Sequence, residues 1–230
     1  MRQLKRKSVL LAKQLHSKLQ RKTHKTHFIH QNLPYFSQWE SRELVEKIIT
    51  KQIKPQDDPR WQKSGAIDSE EYALWSWSCC GMACLKTILA HKDNEVIPVI
   101  TLGKQCLKYG GYKLPLENSP GLYYKPFTRF IKEKYGLDGK AVSTLTLFEI
   151  KQTLSDGGYV MASVTPEIRF PENVPKMHGG HLVLLFGYDD RKRVVYLHNP
   201  SGFKDSQEKV EVSYEQFKRF FDNKGIIISG

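Results

Sequence analysis

The chain has 230 residues, a formal net charge of +12, 40% hydrophobic residues and 11% aromatic residues. This length accommodates one substantial domain, and the composition excludes a disordered or fibrous protein. No window approaches about 20 apolar residues, so the sequence predicts no transmembrane segment. No apolar run near the N-terminus is long enough for a signal peptide, so the expected location is cytoplasmic.

The positive charge is concentrated at the N-terminus. Nine of the 36 basic residues lie in the first 25 positions, and the first acidic residue is Glu40. The rest of the chain has 27 basic and 24 acidic residues, an ordinary balance for a solvated surface. We therefore predict a basic extension over residues 1–32 and one folded domain over residues 33–230.

The extension carries Leu4, Leu11 and Leu15 at helical spacing. It is either an amphipathic helix that contacts an anionic surface or a partner, or a solvated and disordered terminus. Because the charge lies in the extension and no nucleic-acid motif accompanies it, nucleic acid is not an expected partner.

The first half of the domain shows helical periodicity. A helix is predicted from about Ser41, followed by a long ordered loop over residues 52–72. The apolar stripe Met82, Leu85 and Ile88 predicts a buried helix that begins at Cys80. Further helices are predicted near residues 97–108, 123–135 and 146–155, the last with Thr146 and Glu149 as a capping box.

The second half contains short apolar runs rich in β-branched residues. These runs predict strands of an antiparallel sheet at residues 159–164, 182–186, 194–197 and 226–228. One more helix is predicted near residues 213–222, with Ser213 and Gln216 as its capping box. The order of elements predicts an α+β protein in which an N-terminal helical lobe with a central cysteine-bearing helix packs on a C-terminal antiparallel β-sheet.

Cys80 is the candidate nucleophile among the four cysteines, all of which are expected to be reduced thiols. A thiol attacks carbonyls as its thiolate, and a helix N-terminus beside a histidine lowers its pKa. Gly81 removes a side chain that would block an approaching substrate backbone. Cys84 falls one turn inside the helix, Cys79 has no adjacent glycine, and Cys106 lies elsewhere in the chain.

The partners of Cys80 are expected in the second half of the chain. His181 begins a predicted strand after two glycines and is the candidate base, with His178 on the glycine-rich loop as the alternative. Asn199 follows the next strand, so a hairpin would bring it beside His181 to orient the imidazole. Gln38 is the candidate side-chain donor to an oxyanion.

The segments YFSQW, CCGMACLKTIL, HGGHLVLLFGYDD and YLHNPSG resemble a bacterial cysteine peptidase family that includes the leader-peptidase domains of bacteriocin exporters, within the papain-like superfamily. The resemblance covers residues 33–229. It implies a papain-like fold and cleavage of a peptide or amide bond through an acyl-enzyme intermediate. The implied roles are nucleophile for Cys80, base for His181, base orientation for Asn199 and oxyanion donor for Gln38. Gln38 lies farther upstream than in the exporter domains, and Asn199 stands where they usually have Asp.

Three other functions compete with the peptidase hypothesis. The same triad would perform acyl transfer if an amine replaced water. A papain-like module that binds a peptide without cleaving it is a second alternative. A zinc site formed by Cys79, Cys80, Cys84, His178 and His181 is a third, although adjacent cysteines seldom share one ion. The peptidase hypothesis requires no metal and no cofactor, and its partner is a peptide or protein substrate.

Overall fold

A computed structural model of the chain describes residues 2–19, 25–116, 121–170 and 172–230. The helices are α1 Arg2–Leu19, α2 Val45–Ile49, α3 Ser69–Ser76, α4 Cys80–Asp93, α5 Val99–Lys108, α6 Tyr124–Tyr135, α7 Leu147–Ser155 and α8 Tyr214–Phe220. The strands are β1 His27–Ile29, β2 Gly139–Val142, β3 Tyr159–Val164, β4 His181–Asp189, β5 Val194–His198, β6 Val210–Ser213 and β7 Phe221–Ile228. Short 3₁₀ turns include Arg42–Leu44, Pro55–Asp57, Trp61–Ser64 and Pro166–Arg169.

The described strands form one antiparallel sheet in the order β2-β7-β3-β4-β5-β6, and β1 pairs with the far end of β4. β4 is the central strand and pairs with β3 on one side and β5 on the other. The β4–β5 pairing places Leu184 opposite His198. The start of β4 and the end of β5 therefore lie at the same end of the sheet.

Alternate residues of β4 face two separate layers of helices. Leu182, Leu184 and Phe186 join the core formed with the helical lobe, which includes α4. Val183 and Leu185 join the core formed with α7 and α8 on the other face. The two faces are both covered because a strand directs successive side chains to opposite sides. The fold is α+β with the cysteine-bearing helix packed on the antiparallel sheet, as predicted.

Capping boxes define the start of two helices. Thr146 Oγ1 accepts from the Glu149 backbone N–H at the start of α7, and Glu149 accepts from the Thr146 backbone N–H. Ser213 and Gln216 form the equivalent pair at the start of α8. Both boxes lie at the residues that the sequence predicts for them.

Several elements differ from the prediction. The predicted loop over residues 52–72 contains two 3₁₀ turns and the start of α3. The strands β1, β2 and β6 were not predicted, and they are three or four residues long. Such short runs carry too few residues to show strand periodicity.

The basic extension forms the helix α1 and lies against the C-terminal half of the domain. Arg6 pairs with Asp222 at 3.4 Å, and Lys13 Nζ lies 2.7 Å from Glu149 Oε1. Leu4, Leu11 and Leu15 are 71%, 58% and 53% exposed. The helix is therefore held by its charged side chains and leaves an apolar stripe exposed. The predicted domain boundary at residue 33 stays a prediction, although β1 already joins the sheet at residues 27–29.

Among the described residues, no single helix is long and apolar enough to cross a membrane. In that part of the chain, α3 and α4 taken together reach such a length and composition, with a bend of 93° between them.

Candidate active site

Cys80 is the first residue of α4, at the end of a short turn that links this helix to α3. The first turn of α4 contains no acidic residue, so its free backbone N–H groups face the thiol without a competing carboxylate. Cys80 is partly accessible, whereas Cys79 and Cys84 are 0% and 1% exposed. Of these three neighbouring cysteines, only Cys80 is open to a substrate.

Gly81 has a different role from the predicted one. A Cβ at this position would lie 2.6 Å from Leu122 Cδ2 and 3.2 Å from Leu182 Cδ1. The glycine therefore lets Leu122 and Leu182 pack tightly against the start of α4, rather than leaving open space for a substrate.

His181 is the first residue of β4 and is 5% exposed. The two residues before it, Gly179 and Gly180, have φ of 74° and 91°. Residues with a side chain rarely adopt such positive φ angles, so the two glycines allow the chain to turn sharply into β4. His178 on the same loop is exposed, and it lines a different cavity together with Arg6.

Asn199 follows β5 and lies beside His181. Its Oδ1 is 2.8 Å from His181 Nε2 and also accepts from the Ser201 backbone N–H at 3.2 Å. The Ser201 N–H fixes which end of the amide is the oxygen, because an amide nitrogen there would face another donor. His181 Nε2 must then carry the proton, so the neutral imidazole has its free lone pair on Nδ1.

Cys80 and His181 line the same cavity of about 330 Å³. Its other lining residues are Trp77, Ser78, Gly121, Leu122, Tyr124, Gly180 and Leu182. The cleft therefore brings a thiol and an imidazole to one surface, between the apolar side chains of Leu122 and Leu182 and polar wall segments. Trp77 and Tyr124 line this cleft, whereas Trp75 is buried and packs edge to face on Tyr112.

Burial controls the protonation of both reactive groups. It raises the pKa of Cys80, and the Leu182 and Gly81 backbone N–H groups and the Arg169 charge only partly offset this. Burial and the Arg169 charge lower the pKa of His181 to about 3, although the hydrogen bond that His181 donates to Asn199 acts in the opposite direction. The site therefore holds a neutral thiol and a neutral imidazole at neutral pH. The sequence predicts a lowered Cys80 pKa, but it does not reveal that desolvation by the surrounding residues outweighs the effect of the helix N-terminus.

Gln38 lies outside the residues that line the cavity and is 3% exposed. Its Nε2 donates to the Ser76 carbonyl oxygen at 2.9 Å, and its backbone N–H donates to the Pro200 carbonyl oxygen at 2.9 Å. Its Oε1 is buried without a hydrogen-bond partner. Gln38 thus lies between the end of α3 and the Asn199 turn, with its side chain held by a single hydrogen bond.

Two further residues belong to the site but were not predicted from the sequence. Ser201 Oγ lies 3.1 Å from His181 Nε2, and the guanidinium of Arg169 donates to the carbonyl oxygen and to Oγ of Ser201. Ser201 stands two positions after Asn199, so its nearness to a candidate residue was a usable signal. Arg169 carries no such signal, because it is not adjacent in sequence to any candidate residue and only the folding of the chain brings its 3₁₀ turn to the site.

The zinc hypothesis receives no support from the described residues, which contain no group of three or more His, Cys, Asp or Glu side chains arranged to hold a metal ion. Burial raises the pKa of Cys79 and Cys84 well above the usual range, and a metal-binding thiol must lose its proton. All four cysteines are unpaired.

Comparisons with known proteins identify the family of the chain and solved structures of similar fold. A model described as the Peptidase_C39 like family matches residues 30–225. A putative C39-like peptidase from Bacillus anthracis superposes with a TM-score of 0.54 at 14% identity, over 89% of this chain and 98% of that chain. The peptidase domain of Streptococcus ComA, a bifunctional ABC transporter involved in a quorum-sensing pathway, gives a TM-score of 0.44 at 13% identity, over 66% of this chain and 91% of that one. No curated protein matches the chain.

Proposed function

Because the chain belongs to the peptidase C39-like family, we propose that it is a cysteine peptidase that cleaves a peptide or amide bond with Cys80, His181 and Asn199 as its triad. One observation carries this proposal. His181 Nε2 lies 2.8 Å from Asn199 Oδ1, and the same imidazole lines one cavity with the Cys80 thiol. A thiol, a base and a group that orients the base are the parts that thiol-dependent acyl transfer requires.

In the proposed reaction the thiol and the imidazole both start neutral. Cys80 Sγ forms a bond to the substrate carbonyl carbon while its proton passes to His181 Nδ1. The tetrahedral intermediate collapses, the C–N bond breaks, and His181 donates that proton to the leaving amine. Water then attacks the thioester, His181 accepts a proton from it, and the proton returns to the sulfur as the acid leaves.

Two donors are proposed for the oxyanion of the intermediate. One is the backbone N–H of Cys80, which is free because it lies in the first turn of α4. The other is Gln38 Nε2, which in this proposal exchanges the Ser76 carbonyl oxygen for the oxyanion. The exchange requires the loss of one hydrogen bond at 2.9 Å.

Site-selective alkylation tests the triad without knowledge of the substrate. Iodoacetamide or a peptidyl vinyl sulfone should label Cys80 alone among the four cysteines, as read by mass spectrometry of the folded protein. H181A should slow this labelling by about 10²-fold or more, because the proton acceptor is lost. Labelling confined to Cys106, or an unchanged rate in H181A, would count against the triad.

Peptide-library cleavage then distinguishes catalysis from binding. The wild-type chain should release new peptide termini, and C80A should release none. The raised pKa of Cys80 favours one competing function, a module that holds peptides without cleaving them. That alternative prevails if C80A and the wild type bind peptides equally and neither cleaves them. New amide products in the presence of an added amine would indicate acyl transfer.

The proposal extends to the location and the surroundings of the protein. The four unpaired cysteines fit a reducing compartment, and we propose that the protein is located in the cytoplasm.

The exposed stripe Leu4, Leu11 and Leu15 of α1, flanked by lysines, is suited to contact with an anionic surface. Co-sedimentation of the full chain with phosphatidylserine vesicles, compared with neutral vesicles, tests this contact, and equal binding to both would exclude an electrostatic role.

A further inference from the structure

Arg169 contacts Ser201, which in turn contacts His181 of the proposed triad. It ends the 3₁₀ turn Pro166–Arg169 that follows β3. Its guanidinium donates through Nε to the Ser201 carbonyl oxygen, through Nη2 to Ser201 Oγ and through Nη1 to the Pro166 carbonyl oxygen at 3.1 Å. Three of its nitrogens are thus committed to neutral oxygens, which is a fixed and directional arrangement.

No carboxylate in the described part of the chain pairs with this cation. Burial lowers the pKa of Arg169 to about 10, and the charge that acts in the opposite direction is that of Cys80. A pKa of about 10 still leaves Arg169 charged at neutral pH. A partly buried cation without a counter-ion is costly, so the absence of a carboxylate partner indicates that an anion forms near it during function.

Ser201 connects Arg169 to the imidazole. Ser201 Oγ receives the Arg169 Nη2 hydrogen bond and lies 3.1 Å from His181 Nε2. The Ser201 backbone N–H donates to Asn199 Oδ1. Ser201 is fully buried, so Arg169 fixes a residue that touches both His181 and the group that orients it.

We propose that Arg169 is a positioning residue of the proposed peptidase site: it holds Ser201 against His181 and Asn199, and its cation stabilises the Cys80 thiolate while it disfavours a protonated His181. This inference rests on the proposed function. Its consequence is that a residue outside the triad shifts the pH dependence of Cys80 reactivity, in the direction opposite to that of burial.

The other groups around the thiol do not supply this charge. Tyr112 and Tyr124 have pKa values raised by burial, as do the Cys79 and Cys84 thiols, so all four are neutral at neutral pH. The carboxylate that acts on Tyr124 is Asp222, and it pairs with Arg6. Across the site, His181 is neutral and Arg169 is the charged group that acts on it.

The test measures the pH profile of Cys80 alkylation by iodoacetamide in the full chain. R169M removes the charge and the hydrogen bonds but keeps a long apolar stem. It should move the midpoint of the profile upward by about one pH unit or more, which is the usual size of the effect of a nearby opposite charge. R129M is the matched control, because Arg129 is 68% exposed, and its profile should equal that of the wild type.

Two further variants separate charge from positioning. R169K keeps the charge but lacks the planar fork, so its midpoint should stay near that of the wild type while its limiting rate at high pH falls. S201A should behave in the same way, because it removes the bridging hydroxyl and keeps Arg169. If R169M does not fold, R169K and S201A still decide the positioning role, and the alkylation midpoint of R169Q decides the role of the charge.

The outcomes distinguish this inference from the proposed function. A wild-type chain in which Cys80 is not selectively labelled overturns the peptidase proposal itself. A reactive Cys80 whose midpoint and limiting rate are the same in R169M, R169K and the wild type overturns the role of Arg169 alone. A lower melting temperature with an unchanged pH profile also overturns it, because that pattern marks a purely structural residue.

Discussion

Two buried polar networks of this molecule use similar groups but differ in what they leave unpaired. Around Asp58, which is fully buried, both carboxylate oxygens are saturated. Oδ1 accepts from Ser41 Oγ and the Arg60 backbone N–H, and Oδ2 accepts from Tyr72 Oη and the Ser41 backbone N–H. This network joins the loop before α3 to the segment that begins at Ser41, and it contains no group free to react.

The network around His181 is arranged differently. Nε2 is engaged by Asn199 and Ser201, but the thiol of Cys80 faces a cavity and the cation of Arg169 lacks a carboxylate partner in the described chain. A closed network stabilises the fold because every donor has an acceptor. We call the network around His181 open, because it contains groups without such a partner. Groups of this kind can react with a substrate but lower the stability of the fold, which is typical of functional sites.

The largest expected effect is a loss of folding stability when the network around Asp58 is broken. D58A leaves four donors without their acceptor, so the free energy of unfolding should fall by about 3 kcal/mol or more. Urea unfolding followed by tryptophan fluorescence measures this. The rate of Cys80 alkylation in the folded protein should stay at the wild-type value, because no Asp58 contact reaches the cavity.

Matched variants sharpen this comparison. D57A alters an exposed neighbour that caps the Lys54 backbone N–H, and it should cost about 1 kcal/mol or less. C80A should show the opposite pattern from D58A, with activity lost and unfolding changed by about 1 kcal/mol or less. If D58A loses alkylation at Cys80 while it remains folded, the two networks are coupled and the distinction fails.

The next effect tests whether Gln38 belongs to the open network. Q38M keeps the side-chain volume but removes the proposed donor, so peptide cleavage should fall by about 10²-fold in kcat. Alkylation of Cys80 by iodoacetamide forms no oxyanion, so its rate should not change. Equal losses in both assays would show that Gln38 only supports the local fold through its contact with Ser76.

The sequence predicts those parts of the fold and of the candidate site that depend on local patterns. The elements of the sheet core and both capping boxes follow from local periodicity and spacing, which the sequence displays directly. The sequence predicts Asn199 beside His181 because consecutive strands with a short connection form a hairpin, and the two side chains are in contact. Such inferences succeed where the contact is local or follows from strand pairing.

The remaining features depend on contacts between distant segments. Arg169 reaches Ser201 from a separate 3₁₀ turn, and no spacing rule connects the two. The raised pKa of Cys80 and the enclosed side chain of Gln38 both result from burial, which appears only when the lobe and the sheet are packed together. The short strands β1, β2 and β6 form because longer strands are available to pair with them.

The smallest expected effect concerns acid stability and the neutral imidazole of the open network. The pKa of His181 is lowered to about 3 in the folded chain from an ordinary value of 6.5. The unfolded chain therefore binds a proton below pH 6.5 that the folded chain excludes, so this contribution to stability is present above pH 6.5 and is lost as the pH falls toward 3. Between about pH 7.5 and about pH 5.5 the free energy of unfolding should fall by about 1.4 kcal/mol because of this one group.

Urea unfolding at the two pH values should show a smaller loss in H181Q than in the wild type, whereas H178A, which alters an exposed histidine, should match the wild type. His198, whose pKa is lowered to about 4 mainly by burial, contributes equally to all three proteins and cancels in the difference. An identical pH dependence in H181Q and the wild type would mean that the imidazole is charged in the folded site, and the open network would then hold a thiolate and imidazolium pair rather than two neutral groups.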